Sequence, residues 1–246
     1  MLLKTLLTNF NKMLNKRGIR IPEYDQLLTM SNESLIEKLT KDLADFPTDL
    51  KALSGGEHYT LALTKVVDTE PSIHKASGKE VKLLIMWDSL SGKTMTSAEI
   101  DKIITFSGKK DIDKMIVMSI YDRGPRVAVK KAFNKSMEFF TYKDFTVDYE
   151  SQFWTPVNSQ LLTNEEFLEE NPDMESVNIP NVNFDDPQVK YLGGRIGQVI
   201  KSENEVLLPM VLLPSTISYR RINAMESEDK APFDGSFYGL KVFGQH

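Results

Sequence analysis

The sequence predicts an α/β N-terminal domain, with a mixed sheet and flanking helices, followed by a small α+β C-terminal domain. Before about residue 150, segments with helical spacing of apolar residues alternate with the continuous apolar runs of buried strands. Periodicity is lost around residues 148–158, and short strand-like segments separated by turn residues follow. We therefore expect domains at residues 1–150 and 151–222, with a C-terminal extension at residues 223–246.

The N-terminal domain is predicted to begin with two helices. Apolar residues recur at helical spacing from Leu3 to Leu14, and a glycine stop follows at Gly18. A second helix is predicted over residues 32–43. Its inward face is expected to comprise Leu35, Ile36, Leu39 and Leu43.

Strands and helices are then predicted to alternate, as in a sheet covered by helices. In order, we expect a half-buried strand at 59–67, a buried strand at 81–87, a helix capped by Thr96 and Glu99, a buried strand at 115–121, a helix that begins at Pro125, and a strand at 139–147.

The C-terminal domain is predicted to be strand-rich. Thr163 and Glu166 form a capping box at the start of a helix that carries Phe167 and Leu168. The remaining expectations are a loop over 171–187 and short strands at 198–201, 206–213 and 217–222.

Composition excludes or disfavours several kinds of site. The chain has no cysteine, which excludes disulfides and thiolate metal sites, and its three scattered histidines disfavour zinc catalysis. A net charge of −5 disfavours nucleic-acid binding by the surface as a whole, so any DNA contact must be local. The sequence has no apolar run of about 18 residues, so we expect no membrane contact. No cofactor is expected either.

Five cations with no acid among them follow the strand predicted at 115–121. They are Arg123, Arg126, Lys130, Lys131 and Lys135. Because Arg126 and Lys130 are four residues apart, as are Lys131 and Lys135, a helix here presents a basic face. Two interpretations remain open: the face is simply solvated, or it contacts nucleic-acid phosphates.

A catalytic interpretation rests on three charged residues. Asp68, Glu80 and Lys82 match the loose spacing of restriction-type nucleases, in which paired carboxylates hold Mg²⁺ and a lysine assists the attacking water. Charged residues at strand ends produce the same spacing without activity. A Mg²⁺-dependent nuclease therefore remains an alternative, as does a free-standing adaptor that binds no nucleic acid.

An ordered series of residues near the C-terminus carries a more specific signal. It comprises Ile179-Pro180-Asn181-Val182, then the continuous run from Asp186 to Lys201 (Asp-Pro-Gln-Val-Lys-Tyr-Leu-Gly-Gly-Arg-Ile-Gly-Gln-Val-Ile-Lys), and later Tyr219-Arg220. We expect Pro187 to fix the chain before a strand, and Gly193, Gly194 and Gly197 to permit a tight turn or a close backbone approach.

This series resembles the C-terminal motif of RNA polymerase subunit 5/H, a family that comprises the shared fifth subunit of eukaryotic-type polymerases and its archaeal counterpart. That family shows Leu-Pro-Arg-Ile, Asp-Pro-Val, an aromatic-x-Gly-Leu-Lys-Arg-Gly-Gln/Glu-Val-Val-Lys run, and a terminal Tyr-Arg. The resemblance spans about residues 2–222, and it is strongest in the last third.

The resemblance implies a non-catalytic subunit of DNA-directed RNA polymerase. Its C-terminal domain would be an assembly domain that docks on the largest subunit and lies near other subunits. The implied interface residues are Asp186, Pro187, Tyr191, Gly193, Gly194, Arg195, Gly197, Gln198, Tyr219 and Arg220. Its N-terminal domain would be a jaw beside downstream duplex DNA, contacted weakly and without sequence specificity. The implied DNA-proximal residues are Arg123, Pro125, Arg126, Lys130 and Lys131.

Several departures from the family motif suggest a divergent lineage. Arg195-Ile196 stands where the family has Lys-Arg, so one interface charge is lost. The apolar segment 206–213 replaces a family Ser-x-Thr-x-Gly segment, and residues 223–246 have no family counterpart. A viral polymerase is one such lineage, and the expected localisation is the nucleus or, for a virus, a cytoplasmic virus factory or the virion.

Overall fold

The described part of the chain is mixed α/β, with two four-stranded sheets, one two-stranded sheet and several helices. A computed structural model describes residues 2–44, 65–69, 81–87, 97–119, 137–152, 155–156, 158–173, 179–204, 207–208, 211–212 and 216–223. These residues form two compact units, the first from within residues 1–159 and 202–217 and the second from within residues 160–201 and 218–223. Across these ranges, no helix combines the length and the hydropathy that crossing a bilayer requires.

The first unit contains a mixed sheet in the order β1-β2-β3-β4, in which β1 is antiparallel to β2 and the other pairs are parallel. Its elements are α1 (Leu2–Lys16), α2 (Pro22–Thr29), α3 (Asn32–Ala44), β1 (Lys65–Thr69), β2 (Val81–Trp87), α4 (Ser97–Lys109), β3 (Lys114–Ser119), β4 (Met137–Thr141) and a 3₁₀ helix (Tyr142–Phe145). The mixed sheet with flanking helices predicted from the sequence is confirmed.

Both faces of this sheet are covered by helices. On one face, Leu84 and Met86 pack in a buried cluster with Ile100 of α4. On the other face, Trp87 packs edge-to-face on Phe10 of α1, with ring centroids 5.0 Å apart. Because neighbouring residues of a strand point to opposite faces, burial on both sides explains the continuous apolar run in β2.

Helix α1 ends at a glycine, as predicted. Gly18 adopts φ 78°, and its N–H donates to Asn15 O at 2.9 Å. The N–H of Ile19 donates to Leu14 O at 2.8 Å, which completes a Schellman motif, and the Ile19 side chain is buried. Helix α4 ends in the same way, but with Asp111 at φ 52° in the left-handed position.

Two features of the N-terminal helices differ from the prediction. Helix α2 was not predicted, although Pro22 in its first turn and the acids that follow are a helix start signal. Helix α3 was predicted, but the side chain of Ile36 is 57% exposed. Leu35 and Leu39 are four residues apart and share the buried face, whereas Ile36 lies about 100° around the helix from Leu35.

The strand predicted at 139–147 is correct only as far as Thr141 and wrong beyond it. Strand β4 ends at Thr141, where a capping box begins the 3₁₀ helix: the Thr141 N–H donates to Asp144 Oδ2 at 2.8 Å. This turn brings Phe145 edge-to-face onto Phe10 at 5.3 Å. Burial of Phe145 therefore prevails over continued strand pairing.

Other predictions for this half fall partly outside the described residues. The strand at 59–67 is seen only from Lys65, and it extends to Thr69. The helix predicted at Pro125 and the Thr96 cap of α4 lie outside the described ranges.

The C-terminal part of the chain contains a second sheet in the order β5-β7-β10-β6 and a separate two-stranded sheet, β8-β9. Its elements are β5 (Asn158–Leu162), α5 (Asn164–Glu170), β6 (Asn181–Asn183), α6 (Pro187–Leu192), β7 (Val199–Asn204), β8 (Leu207–Leu208), β9 (Val211–Leu212) and β10 (Thr216–Asn223). The predicted helix with the Thr163 capping box and the strands near 198–201 and 217–222 are confirmed.

A helix covers each face of the second sheet. Phe167 of α5 packs with Leu162 and Val199 on one face, and Lys201 pairs with Glu170 of α5 at 2.6 Å. The opposite face buries a different set of residues, and α6 supplies Val189 to it. That set is Val182, Val189, Ile200 and Ile222. Because successive side chains of β7 point to opposite faces of the sheet, the second sheet has two small cores rather than one.

Three sequence predictions for this region are corrected. Residues 206–213 contain two short strands rather than one, because β8 pairs antiparallel with β9. The predicted loop at 171–187 contains β6, which pairs in parallel with β10. Pro187 begins a helix instead of preceding a strand, because Asp186 caps it and proline suits the first helical position.

Candidate functional site

The motif from Asp186 to Gln198 forms helix α6 and the turn that leads into β7. Asp186 caps the helix, since its Oδ1 accepts from the Gln188 N–H at 2.8 Å. Pro187 follows at a position where no backbone donor is needed. The local sequence therefore fixes where this helix begins.

Two glycines end α6, and each has a different role. Gly193 adopts φ 73°, and its N–H donates to Lys190 O at 3.2 Å. The Gly194 N–H donates to Val189 O at 2.9 Å, so the helix ends in a Schellman motif. A Cβ on Gly194 would lie 2.5 Å from Ile222 Cδ1, so the missing side chain is what allows this turn to approach β10.

A tight turn from Arg195 to Gln198 follows. The Gln198 N–H donates to Arg195 O at 3.1 Å, and Gly197 has φ 89°, as the third position of a type II turn requires. A second hydrogen bond also closes the turn: the Gln198 Oε1 accepts from the Arg195 N–H at 2.8 Å.

Backbone hydrogen bonds join this turn to strand β10. The Gly197 N–H donates to Ile222 O at 2.9 Å, and the Ile222 N–H donates to Gln198 O at 2.9 Å. On the preceding helix, the Gln188 Oε1 accepts from the Arg220 guanidinium. The structure therefore places the ten predicted interface residues on α6, its cap, the turn that follows it and β10, with the Tyr219 side chain on the opposite face of the sheet, against α5.

The ten residues differ in exposure. Tyr191, Gly193 and Gly194 are buried, and Tyr219 packs edge-to-face on Phe167 at 5.2 Å. The exposed members are Pro187, Arg195 and Gly197. Only these three are therefore fully exposed on the surface that the motif forms.

Residues 195–197 form an exposed tip, called here the Arg195–Gly197 loop. Within the described part of the chain, the Arg195 side chain has no hydrogen bond or ion pair. Sequence reasoning did not count Ile196 as an interface residue, yet it is 45% exposed between Arg195 and Gly197. The residue type of Ile196 was the sequence signal that could have drawn attention to it, because tight turns favour polar residues, glycine or proline.

The first unit contains a buried ionic cluster that the sequence did not predict. Glu138 on β4 forms ion pairs with Lys114 Nζ at 2.6 Å and with Arg17 Nη2 at 2.8 Å. Arg17 also lies over the Phe140 ring, 5.5 Å from its centroid. The cluster therefore joins the end of α1 to strands β3 and β4.

The cluster holds Glu138 as a carboxylate. Burial raises the pKa of Glu138, but the charges of Arg17 and Lys114 and their hydrogen bonds outweigh burial and lower it to about 2. A carboxylate with so low a pKa is a poor proton acceptor at neutral pH, so this cluster is suited to holding elements together rather than to acid–base catalysis.

The other predicted sites can be placed only in part. The basic stretch with Arg123, Pro125, Arg126, Lys130 and Lys131 lies outside the described residues, as does Glu80. Asp68 stands opposite Lys82 in the pairing of β1 with β2. Among the residues that can be described, no group of three acids or histidines could hold a metal ion.

Comparison with known proteins adds no relative: neither a protein-family model nor a curated protein matches the chain. The resemblance to polymerase subunit 5/H therefore stays a prediction, which rests on the motif residues and their order.

Proposed function

We propose that this chain is a non-catalytic subunit of a multisubunit DNA-directed RNA polymerase, similar to subunit 5/H. Residues 151–222 are its assembly domain and dock on the largest subunit, near other subunits. Residues 1–150 are a jaw beside downstream duplex DNA. The divergent motif suggests a divergent lineage, cellular or viral: the protein lies in the nucleus or, for a virus, in a cytoplasmic virus factory or the virion.

One observation carries the proposal: the motif from Asp186 to Gln198 is folded as a single element bonded to β10. Gly193, Gly194 and Gly197 each have a backbone or packing role in it. Such an element is held in one shape before it meets a partner. Pre-organisation of this kind lowers the entropy lost on binding, so it favours a docking surface.

The proposed jaw contact depends on local positive charge. Arg126, Lys130 and Lys131 would contact phosphates of the incoming duplex, without reading its sequence. Their replacement by alanine should reduce the salt resistance of DNA retention by the assembled polymerase. If the salt dependence of DNA retention did not change, the proposed DNA contact would be wrong, but the proposed docking on the largest subunit would still stand.

Affinity purification of the tagged full chain from its native source tests the proposal, with bound proteins identified by mass spectrometry. We expect the large polymerase subunits to be recovered in near-equal amounts with the bait. Recovery of the chain without them would favour the alternatives. Mg²⁺-dependent cleavage of DNA by the isolated chain would then indicate a nuclease that uses Asp68, Glu80 and Lys82, and its absence would indicate an adaptor.

A further inference from the structure

We infer that Arg220 serves docking as a positioning residue: it holds helix α6 of the motif against β10 through the buried side chain of Gln188. The inference rests on the proposed function and refines it at the same surface. It changes the role of Arg220, which the family resemblance implied to be an interface residue, and it adds Gln188, which the resemblance did not include.

Side chains at the end of β10 reach the two covering helices in turn. Successive side chains of a strand point to opposite faces of the sheet. Tyr219 packs on α5, and Ile222 belongs to the buried cluster to which α6 contributes. Arg220 shares the face of Ile222 and therefore faces α6, whereas Arg221 shares the face of Tyr219 and faces α5.

One hydrogen bond joins Arg220 to the start of α6. The Arg220 guanidinium donates to Gln188 Oε1, and Gln188 is only 4% exposed. A buried acceptor that loses its donor costs free energy, so this bond favours one placement of the helix. The apolar contacts of α6 are not directional in this way. The bond therefore specifies how the start of α6 lies on β10.

The end of α6 is fixed on the same strand by a different contact. Gly194 approaches β10 so closely that a Cβ would lie 2.5 Å from Ile222 Cδ1. With both ends held, α6 presents the Arg195–Gly197 loop in a defined position, and pre-organised geometry of this kind requires supporting side chains behind the exposed ones. Arg220 is half-buried and engaged within the chain, so it is suited to support rather than to direct contact.

Arg221 provides a matched comparison on the opposite face. Its Nη2 donates to Asn164 Oδ1 at 2.9 Å, at the start of α5. Both arginines are therefore neighbours on β10, half-buried, and bonded to a side-chain amide in the first turn of a covering helix. Arg221 lies outside the set of residues that the resemblance implied, and α5 does not carry the Arg195–Gly197 loop.

Hydrogen exchange on the purified full chain tests whether each arginine holds its own helix. Arg220→Met removes the donors of the side chain, so the backbone amides of α6 should exchange at least about threefold faster while those of α5 change by less than about twofold. Arg221→Met should show the reverse pattern. Equal acceleration in both helices, or none in α6 with Arg220→Met, would overturn the inference.

Binding to the largest subunit, or to polymerase depleted of this chain, then separates positioning from contact. Gln188 is buried, so Gln188→Met can weaken binding only through the placement of α6. We expect about tenfold weaker binding for Gln188→Met, for Arg220→Met and for the two combined, and a change within about threefold for Arg221→Met. If Arg220→Met weakened binding but Gln188→Met did not, Arg220 would be a direct contact and the inference would be wrong. Unchanged binding with both variants would refute it as well.

Unfolding midpoints of all variants are compared with wild type, so that loss of binding is not loss of folding. If Arg220→Met does not fold, Gln188→Met carries the same two measurements, because it removes the acceptor of the same hydrogen bond. If wild type itself does not bind, the proposed function has failed, whereas the exchange pattern still decides whether Arg220 holds α6.

Discussion

The two four-stranded sheets of the described residues are both covered by helices on both faces, yet different kinds of residue specify them. In the first unit, long apolar strands such as β2 alternate between two large cores, and a buried ionic cluster joins α1 to β3 and β4. In the second unit, the cores are small, and capping residues and glycines determine where each element begins and ends. The first fold depends on packing and the second on local backbone geometry.

This difference predicts different weak points. A core with a buried charge cluster is most sensitive to loss of one charge, since the others are then left unpaired. A small unit built on turns is most sensitive to an added side chain or a lost cap. The four predictions that follow test this contrast, from the largest expected effect to the smallest.

Replacing Glu138 by glutamine should have the largest effect. Glu138→Gln leaves Arg17 and Lys114 facing each other without their carboxylate, and both are nearly buried. We expect the free energy of unfolding to fall by about 3–5 kcal/mol in urea denaturation. Lys12→Ala is the control, because the Lys12–Asp148 pair is solvent-exposed and its loss should cost about 1 kcal/mol or less. Equal effects would contradict the role assigned to burial.

The pH dependence of stability should follow the same carboxyl. Because the pKa of Glu138 is about 2 in the folded protein and near 4.5 in the unfolded chain, the unfolded chain binds the proton first as pH falls. The stabilisation is complete above about pH 4.5 and is lost as pH approaches 2, amounting to about 3 kcal/mol. Urea denaturation of wild type and of Glu138→Gln across this pH range isolates the contribution of Glu138. The difference between their free energies of unfolding should shrink toward low pH.

In the second unit, Gly194→Ala should be the most damaging small substitution. The new Cβ would meet Ile222 Cδ1 at 2.5 Å, so we expect a loss of about 1–3 kcal/mol. Gly197→Ala is the matched comparison: nothing lies within 4 Å of its Cβ position, and its cost of about 1 kcal/mol would come from φ alone.

A double-mutant cycle separates these two causes. Ile222→Val removes the Cδ1 atom that Gly194→Ala would contact, so the two changes together should cost less than the sum of each alone. Gly197→Ala should be additive with Ile222→Val. Additivity in both pairs, measured by urea denaturation, would show that close packing is not why position 194 needs glycine.

The smallest effect should come from the capping box of α5. Thr163 Oγ1 accepts from the Glu166 N–H at 3.1 Å, and Glu166 Oε2 accepts from the Thr163 N–H at 2.7 Å. Thr163→Ala should lower the free energy of unfolding by about 1 kcal/mol, and Thr163→Ser should retain most of it. A serine variant as unstable as the alanine variant would mean that the threonine methyl, not the cap, stabilises this helix.

The sequence predicted those parts of the fold that follow from local pattern. Apolar spacing identified α1, α3 and the buried strand β2, and Thr163 with Glu166 identified the start of α5. It did not predict the exposure of Ile36 or the turn after Thr141, because both depend on which distant residues pack there. Asp186-Pro187 is a helix start signal from which α6 could have been predicted. The strand-like residues that follow the glycines led instead to the prediction of a strand after Pro187.

The motif could be found in the sequence as a set of residues, but the surface that it forms could not. The motif identified the glycines whose turn geometry and close approach the structure confirms. It did not reveal which residues face outward: Tyr191 is buried, whereas Ile196 is exposed. Exposure at a turn depends on the packing of α6 against β10, which a single sequence does not display.

The most direct test of the account is one purification experiment on the full chain, with one set of substitutions in each proposed domain. Substitution of Gly193, Arg195 and Gly197 together should abolish recovery of the largest polymerase subunit. Arg126→Ala, Lys130→Ala and Lys131→Ala together should leave recovery intact and lower only the salt concentration at which the polymerase releases DNA. Loss of the largest subunit with the second set, or its retention with the first, would contradict the assignment of docking to residues 151–222 and of DNA guidance to residues 1–150.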